Sequence, residues 1–233
     1  MKVVGNGMWL VLNDISYKSN IIYKIKNRMI EGKMDNTIYT IGYSDFKIND
    51  FLNVLKKYSI KCLIDVRSMP NSKYFGEYNK ENLKEFLKEN NILYRHYPRE
   101  FGARQNDMKY YPNGYLDFDL FTKSEAFIEG QEKVIKGMEL GYIFALMCAE
   151  KDAMDCHRCI MVGRKFYQRG YDVRNIMSNG KYESQKEFEI RLVERYFPNR
   201  NQVSLLDPVY SNEEVINEAY MKRNEEIGCK IEK

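Results

Sequence analysis

Short apolar runs and amphipathic stretches take turns along most of this chain. Residues 37–41 are apolar and β-prone, and Ile48, Phe51, Leu52 and Leu55 follow at helical spacing, which predicts a strand and then a helix with one buried face. Residues 62–66 read as a second strand. It closes on Asp65-Val66-Arg67-Ser68-Met69-Pro70, where the proline cannot continue regular pairing. Asn79 is placed to cap a helix burying Leu83, Phe86 and Leu87, and residues 92–97 form a third strand that ends at Pro98. Ser124 opens a helix carrying Phe127, Ile128, Val134, Ile135 and Met138. Residues 142–147 make a fourth strand and 171–176 a fifth, and the tail is helical, with Phe188, Leu192 and Val193 on one segment and Val215, Ile216, Ala219 and Tyr220 on another. This alternation implies an α/β domain of three α/β/α layers around a mostly parallel five-stranded sheet, with extra C-terminal helices packed alongside.

The stretch from 142 to 170 concentrates unusual chemistry. Its apolar run gives way to polar residues at Cys148, a loop follows from Glu150 to Met154, and Asp155 is placed to cap a helix whose first turn is Cys156, His157 and Arg158. Gly170 would end that helix in a left-handed cap. A thiol on a first helical turn is exposed to the positive end of the helix dipole, which favours the thiolate. One other stretch breaks the rhythm. Residues 99–121 form a long Tyr-, Gly- and Asp-rich connection, of the kind that in compact domains is more often functional than filler.

Composition narrows the setting. A chain of 233 residues with 44% hydrophobic content supports one good core, so residues 35–233 are expected to be a single domain and residues 1–34 an extension outside it. No apolar run reaches membrane-spanning length. The five cysteines, at 62, 148, 156, 159 and 229, do not form a disulfide framework, and a reducing cytoplasmic setting is expected. The net charge of +4 suggests nucleic acid until it is located: residues 1–34 hold six Lys and Arg against two Asp and Glu, which accounts for the whole excess.

In parallel α/β sheets, ligands bind outside the carboxyl ends of the strands. Here those ends carry Gly42 and Ser44, Asp65 and Arg67, Arg99 and Arg104, and Cys148 and Glu150. Catalytic candidates are therefore Cys156 or Cys148 as nucleophile, His157 or Glu150 in proton transfer, and Asp65. Arg67, Arg104, Arg158 and Ser44 are candidates for binding an anion. Each has a plainer alternative. Cys148 can be a small core residue, Asp65 and Arg67 a structural ion pair, and Cys159, aligned with Gly163 and Phe166, a packing residue. Zinc is not expected, because consecutive helical side chains such as Cys156 and His157 point about 100° apart. A transient Cys148–Cys156 disulfide is sterically conceivable. Tyr94, Tyr97, Tyr110, Tyr111 and Tyr115, interleaved with Arg95, Arg99, Arg104 and Lys109, suggest a stacking surface for nucleic acid.

Two functions of different class stand open on these residues. One is an enzyme acting on a phosphorylated, nucleotide-like or nucleic-acid substrate through the cysteines and arginines. The other is a non-catalytic module that binds an anionic small molecule or nucleic acid, its cysteines being structural. The sequence identifies no cofactor, reaction or oligomeric state.

Several separated motifs, in order, resemble the domain of unknown function 488 family: Thr40-Ile41-Gly42-Tyr43-Ser44, Asp65-Val66-Arg67 with Pro70, the Gly102–Arg104 loop, Cys148-Ala149-Glu150-Lys151, and Cys156-His157-Arg158. Tyr196-Phe197-Pro198 and Glu218-Ala219-Tyr220 extend the likeness toward the C-terminus. Tyr43 and Ala103 stand where the family pattern has His and Gly. The resemblance implies the same fold and the same site, and no established reaction.

Overall fold

The computed structural model describes residues 36–198 and 212–231, so the expectation for residues 1–34 lies outside the described residues. Among these, strands β1 (Thr37–Gly42), β2 (Cys62–Asp65), β3 (Leu93–His96), β4 (Phe144–Cys148), β5 (Asp172–Ile176) and β6 (Tyr182–Ser184) form one sheet in the order β3-β2-β4-β1-β5-β6. The first five run parallel, and β6 is antiparallel to β5.

The sheet is thus six-stranded, one strand more than the hydrophobic pattern shows. The added strand reads Tyr-Glu-Ser and lies at the edge, so it carries no apolar run to betray it. It exists because the turn closed by the Gly180 amide on the Met177 carbonyl folds it back on β5. Strand ends shift as well. Tyr142 is exposed and precedes β4, whereas Cys148 is its last residue. Pro98, expected only to stop β3, opens a short helix, where a first-turn position has no need of its missing N–H.

Side chains alternate across the strands. Tyr39, Ile41, Leu63, Ala145 and Met147 face α1 (Ile48–Lys57) and α2 (Lys80–Glu89), burying Phe51, Leu52, Leu55, Leu83 and Leu87. The opposite face receives α5 (Glu125–Glu139) and α6, a helix of π-helical turns at Arg158–Gly163 that continues as Arg164–Gln168. Close approach there requires glycine: a Cβ on Gly137 would meet the Phe144 ring at 2.4 Å. Two short helices, α3 (Pro98–Phe101) and α4 (Phe118–Phe121), divide the long connection, and Asp117 caps α4 by accepting the Leu120 amide at 2.8 Å. Helices α7 (Gln185–Tyr196) and α8 (Asn212–Ile227) complete this layer. A buried chain of hydrogen bonds joins them to the sheet, from Thr40 to Asn175, Gln185 and Tyr220. These are the three layers and additional C-terminal helices that the pattern implies. Among the described residues, no helix is long and apolar enough to cross a membrane.

Candidate functional site

The carboxyl ends of β1, β2 and β4 meet the start of α6. Gly42 ends β1 directly under the chain after β4, where an added Cβ would lie 1.8 Å from the Glu150 carbonyl oxygen, so no other residue fits. The Tyr43 and Ser44 amides donate to the Cys148 and Ala149 carbonyls, which fixes the path of the segment leaving β4.

Beyond Glu150 the chain makes a 3-10 turn at Ala153–Asp155, which the C-terminal helices hold from outside. Arg191 on α7 makes two bonds of 3.0 Å to Asp152. Arg223 on α8 binds the Asp155 carboxylate and, at 2.8 Å, the Met154 carbonyl. Asp155 therefore does not cap α6, as its position in sequence suggests. Cys156 takes that position: its backbone is extended (φ −134°, ψ 134°), its carbonyl accepts the Cys159 and Ile160 amides, and its sulfur accepts the Arg158 amide at 3.4 Å. The thiol thus caps the helix instead of lying within its first turn. Gly170, at φ +89°, ends the helix as expected.

Because Cys156 is extended, its side chain meets that of His157 instead of diverging by a helical step, and the geometric objection to a metal falls. The Nδ1 of His157 lies 3.9 Å from both Cys148 Sγ and Cys156 Sγ, and the three donor atoms all lie within 4.8 Å of one another. His157 Nε2 is 3.0 Å from the Val66 carbonyl oxygen, which only accepts, so Nε2 carries a proton and a neutral ring leaves Nδ1 free to accept. The Cys156 sulfur is also 3.0 Å from Glu150 Oε2. Cys148, Cys156, His157 and Arg158 are 3%, 1%, 8% and 0% exposed, and Glu150 is the member that reaches solvent.

The charges in this cluster depend on one another. Burial pushes the Cys156 thiol up, but a hydrogen bond from the Cys148 thiol, the Arg158 guanidinium and the His157 ring outweigh it and hold Cys156 well below the ordinary thiol range. Cys148 moves well above that range, through its hydrogen bond to Cys156 and then its own burial. Burial and then the Cys156 charge raise Glu150, whose Oε2 accepts from Cys156 Sγ, so the two groups compete for one proton. Burial lowers His157, yet the Cys156 charge and hydrogen bond prevail and raise it. Cys159 is fully buried with its sulfur 3.5 Å from Gln185 Oε1, and burial pushes it up, as suits a packing residue.

Two of the buried arginines, Arg67 and Arg158, are placed differently. Arg67 makes bonds of 2.9 and 2.6 Å to Asp65, and its remaining contacts are the Tyr78 carbonyl at 2.8 Å and the Tyr43 hydroxyl at 3.2 Å. Asp65 also accepts the Tyr94 hydroxyl at 2.6 Å. Among the described residues, the Arg158 guanidinium donates to the Glu150 and Lys151 carbonyls, and its buried Nε has no hydrogen-bond partner. Among the described residues, no carboxylate forms an ion pair with it, and the charge that most favours its protonated form is that of Cys156.

Arg104 stays exposed, its amide on Ser68 Oγ at 2.8 Å and its guanidinium beside the Met69 sulfur. Ser44 is half-buried, with no side-chain hydrogen bond among the described residues. The structure therefore brings Cys148, Glu150, Cys156, His157 and Arg158 into direct contact, sets Asp65 and Arg67 one strand away as a closed pair, and leaves Arg104 and Ser44 outside the contact network of the thiols. The tyrosines expected as a stacking surface turn mostly inward: Tyr94 to Asp65, Tyr111 to Gln105, Tyr97 onto Phe101 and Tyr110 onto Phe121. Sequence reading missed Tyr43, Val66, Arg191 and Arg223. Tyr43 and Val66 lie in motifs that the sequence singles out, Val66 acting through its backbone carbonyl, whereas Arg191 and Arg223 act through contacts distant in sequence.

No curated protein matches this chain. A family model described as a domain of unknown function, DUF488, matches residues 47–164, just over half of the chain and every residue of the thiol cluster, and the chain belongs to that family.

Proposed function

We propose that this protein is an enzyme whose Cys156 thiolate attacks a phosphorylated, nucleotide-like or nucleic-acid substrate. The observation that carries this reading is the buried guanidinium of Arg158, which has no carboxylate partner and lies beside a thiol that caps a helix N-terminus. A buried cation without a counter-ion is costly, and a Cys156 thiolate supplies one. The same positive surroundings favour an anionic substrate.

In the reaction, Cys156 sulfur forms a bond to phosphorus as the leaving oxygen departs with its electron pair and takes the Glu150 proton. Water, deprotonated by the Glu150 carboxylate, then displaces the thiolate and restores the starting state. Cys148 donates a hydrogen bond to the thiolate, and His157 stabilises its charge. Exposed Arg104 and half-buried Ser44 are the groups left to orient the substrate at the rim.

Alkylation of all five cysteines by iodoacetamide, followed by peptide mass mapping across pH, tests this reading. Between pH 6 and 8 the Cys156 rate is expected to level off sooner than that of an ordinary thiol, which still accelerates toward its pKa of about 8.5. A Cys156 rate that climbs about tenfold per pH unit through this range, together with salt-dependent oligonucleotide binding, would instead favour the non-catalytic binding module.

A further inference from the structure

We propose that Cys148, Cys156, His157 and Glu150 form a binding site for one thiophilic divalent ion of the zinc type. Zinc sites use Zn–S bonds of about 2.3 Å and Zn–N bonds of about 2.0–2.1 Å, which at tetrahedral angles separate S from N by about 3.6 Å. The His157 Nδ1 atom is 3.9 Å from each sulfur, so inward movements of a few tenths of an ångström create the site. Glu150 lies outside that three-atom group, but its Oε2 is 3.0 Å from Cys156 Sγ, so a side-chain rotation brings it to the fourth position.

The supporting shell is complete before any ion enters. A metal-bound histidine characteristically donates its other ring N–H to a carbonyl or carboxylate, and His157 Nε2 is held 3.0 Å from the Val66 carbonyl. This bond fixes the tautomer whose free nitrogen points at the two sulfurs. The Arg158 amide donates to Cys156 Sγ, as outer-shell donors do to thiolate ligands.

Charge supplies an independent argument. A divalent ion with two thiolates and a carboxylate carries a net charge of minus one, which the fully buried Arg158 guanidinium balances. Binding releases the protons still held by the thiols, by Glu150 and by His157 Nδ1, so ion affinity rises with pH. The donor set of two sulfurs, one imidazole and one carboxylate suits zinc, and cobalt as its spectroscopic substitute, and does not suit magnesium or calcium. Cys159 is excluded, since its sulfur is turned toward Gln185.

This inference shares residues with the thiolate reading but not its claim. The ion-loaded protein would have Cys156 protected, and the ion-free protein would have it reactive. Titration of chelator-treated, reduced full-length protein with Co2+ tests the site. The expected result is one ion per chain, a sulfur-to-cobalt charge-transfer band with tetrahedral visible absorption, and loss of both on adding one equivalent of Zn2+. Cys148→Ser and His157→Gln should lose the band, Glu150→Gln should keep it at weaker affinity, and Cys159→Ser and Cys62→Ser should leave it unchanged. Circular dichroism confirms that each variant is folded. Absence of the band from the wild-type protein overturns the proposal, as does a band that survives in folded Cys148→Ser. Alkylation of ion-free Cys156 is scored separately, so either idea can fail alone.

Discussion

Two buried arginines, one strand apart at the same end of the sheet, show how like residues come to serve different ends. Arg67 sits against Asp65 in a two-pronged ion pair, and Tyr43, Tyr78 and Tyr94 complete the hydrogen bonds of both partners. Arg158 is just as buried, yet its guanidinium meets only carbonyl oxygens and a neighbouring thiol. The first arrangement is closed, with each charge answered by the other. The second has no paired carboxylate among the described residues; the Cys156 charge favours its protonated form against the cost of burial, and Asp152 feels it at longer range. A buried arginine beside a carboxylate is architecture, whereas the one beside Cys156 joins the Cys148 hydrogen bond in holding that thiol's pKa down.

The comparison breaks most readily at the closed pair. Arg67→Ala leaves Asp65 buried and unpaired, and should cost about 3–5 kcal/mol of unfolding free energy in urea titrations. Cys156 in the folded fraction should alkylate as in the wild type. If Arg67→Ala changes Cys156 reactivity as strongly as stability, the two arginines are not separable.

Arg158→Ala comes next. It removes the charge that supports the thiolate, and a rise of one unit in the Cys156 pKa lowers its alkylation about tenfold at pH values below that pKa. Unchanged rates in a folded Arg158→Ala protein would mean that His157 and Cys148 stabilise the thiolate without it.

Stability against pH sharpens the contrast further. Folding lowers the Cys156 pKa, so its contribution is full above the unfolded thiol value of about 8.5 and is lost as pH falls through the lower folded value. Folding raises the His157 pKa, so its contribution is full below about 6.5 and is lost as pH rises through the raised folded value. In Cys156→Ser, the loss of stability on acidification that belongs to the thiolate should disappear from denaturation midpoints measured across pH. A wild-type pH profile in that variant would assign the dependence to other groups.

The smallest effect belongs to Tyr43→Phe, which removes one of several donors and acceptors around Arg67. A cost of about 0.5–1.5 kcal/mol is expected, read as a shift in the urea midpoint. A larger loss would show that the stacked Tyr43–Tyr78 pair, with ring centroids 4.3 Å apart, depends on that hydroxyl.

The closed pair was more legible in the sequence than the open cluster. Asp65 and Arg67 are two residues apart at the end of an apolar run, and that spacing alone suggests they meet. Strands β1, β2 and β4 are readable for a similar reason, because fully buried strands leave apolar runs. Cys156 is different. Its extended backbone depends on a turn pinned by Arg191 and Arg223, residues 35 and 67 positions away in a chain whose local pattern simply reads as helix. Asp155 is the right residue type for a cap but stands one position too early, since it is drawn aside by Arg223 and the Cys156 sulfur takes its place. Tyr94 and its neighbours were read as a ligand surface because interleaved aromatic and basic residues suit stacking, but packing decides where the rings point, and no local spacing reveals it.

The central proposal is that Cys156 ionises more readily than an ordinary thiol because the Cys148 hydrogen bond, Arg158 and His157 outweigh its burial. The most direct measurement is the ultraviolet thiolate absorbance of ion-free, reduced protein across pH, taken as the difference between wild type and Cys156→Ser. The account predicts a single-thiol step lying well below pH 8.5, displaced upward in Arg158→Ala. A step at or above the ordinary thiol value, unmoved by Arg158→Ala, would contradict it.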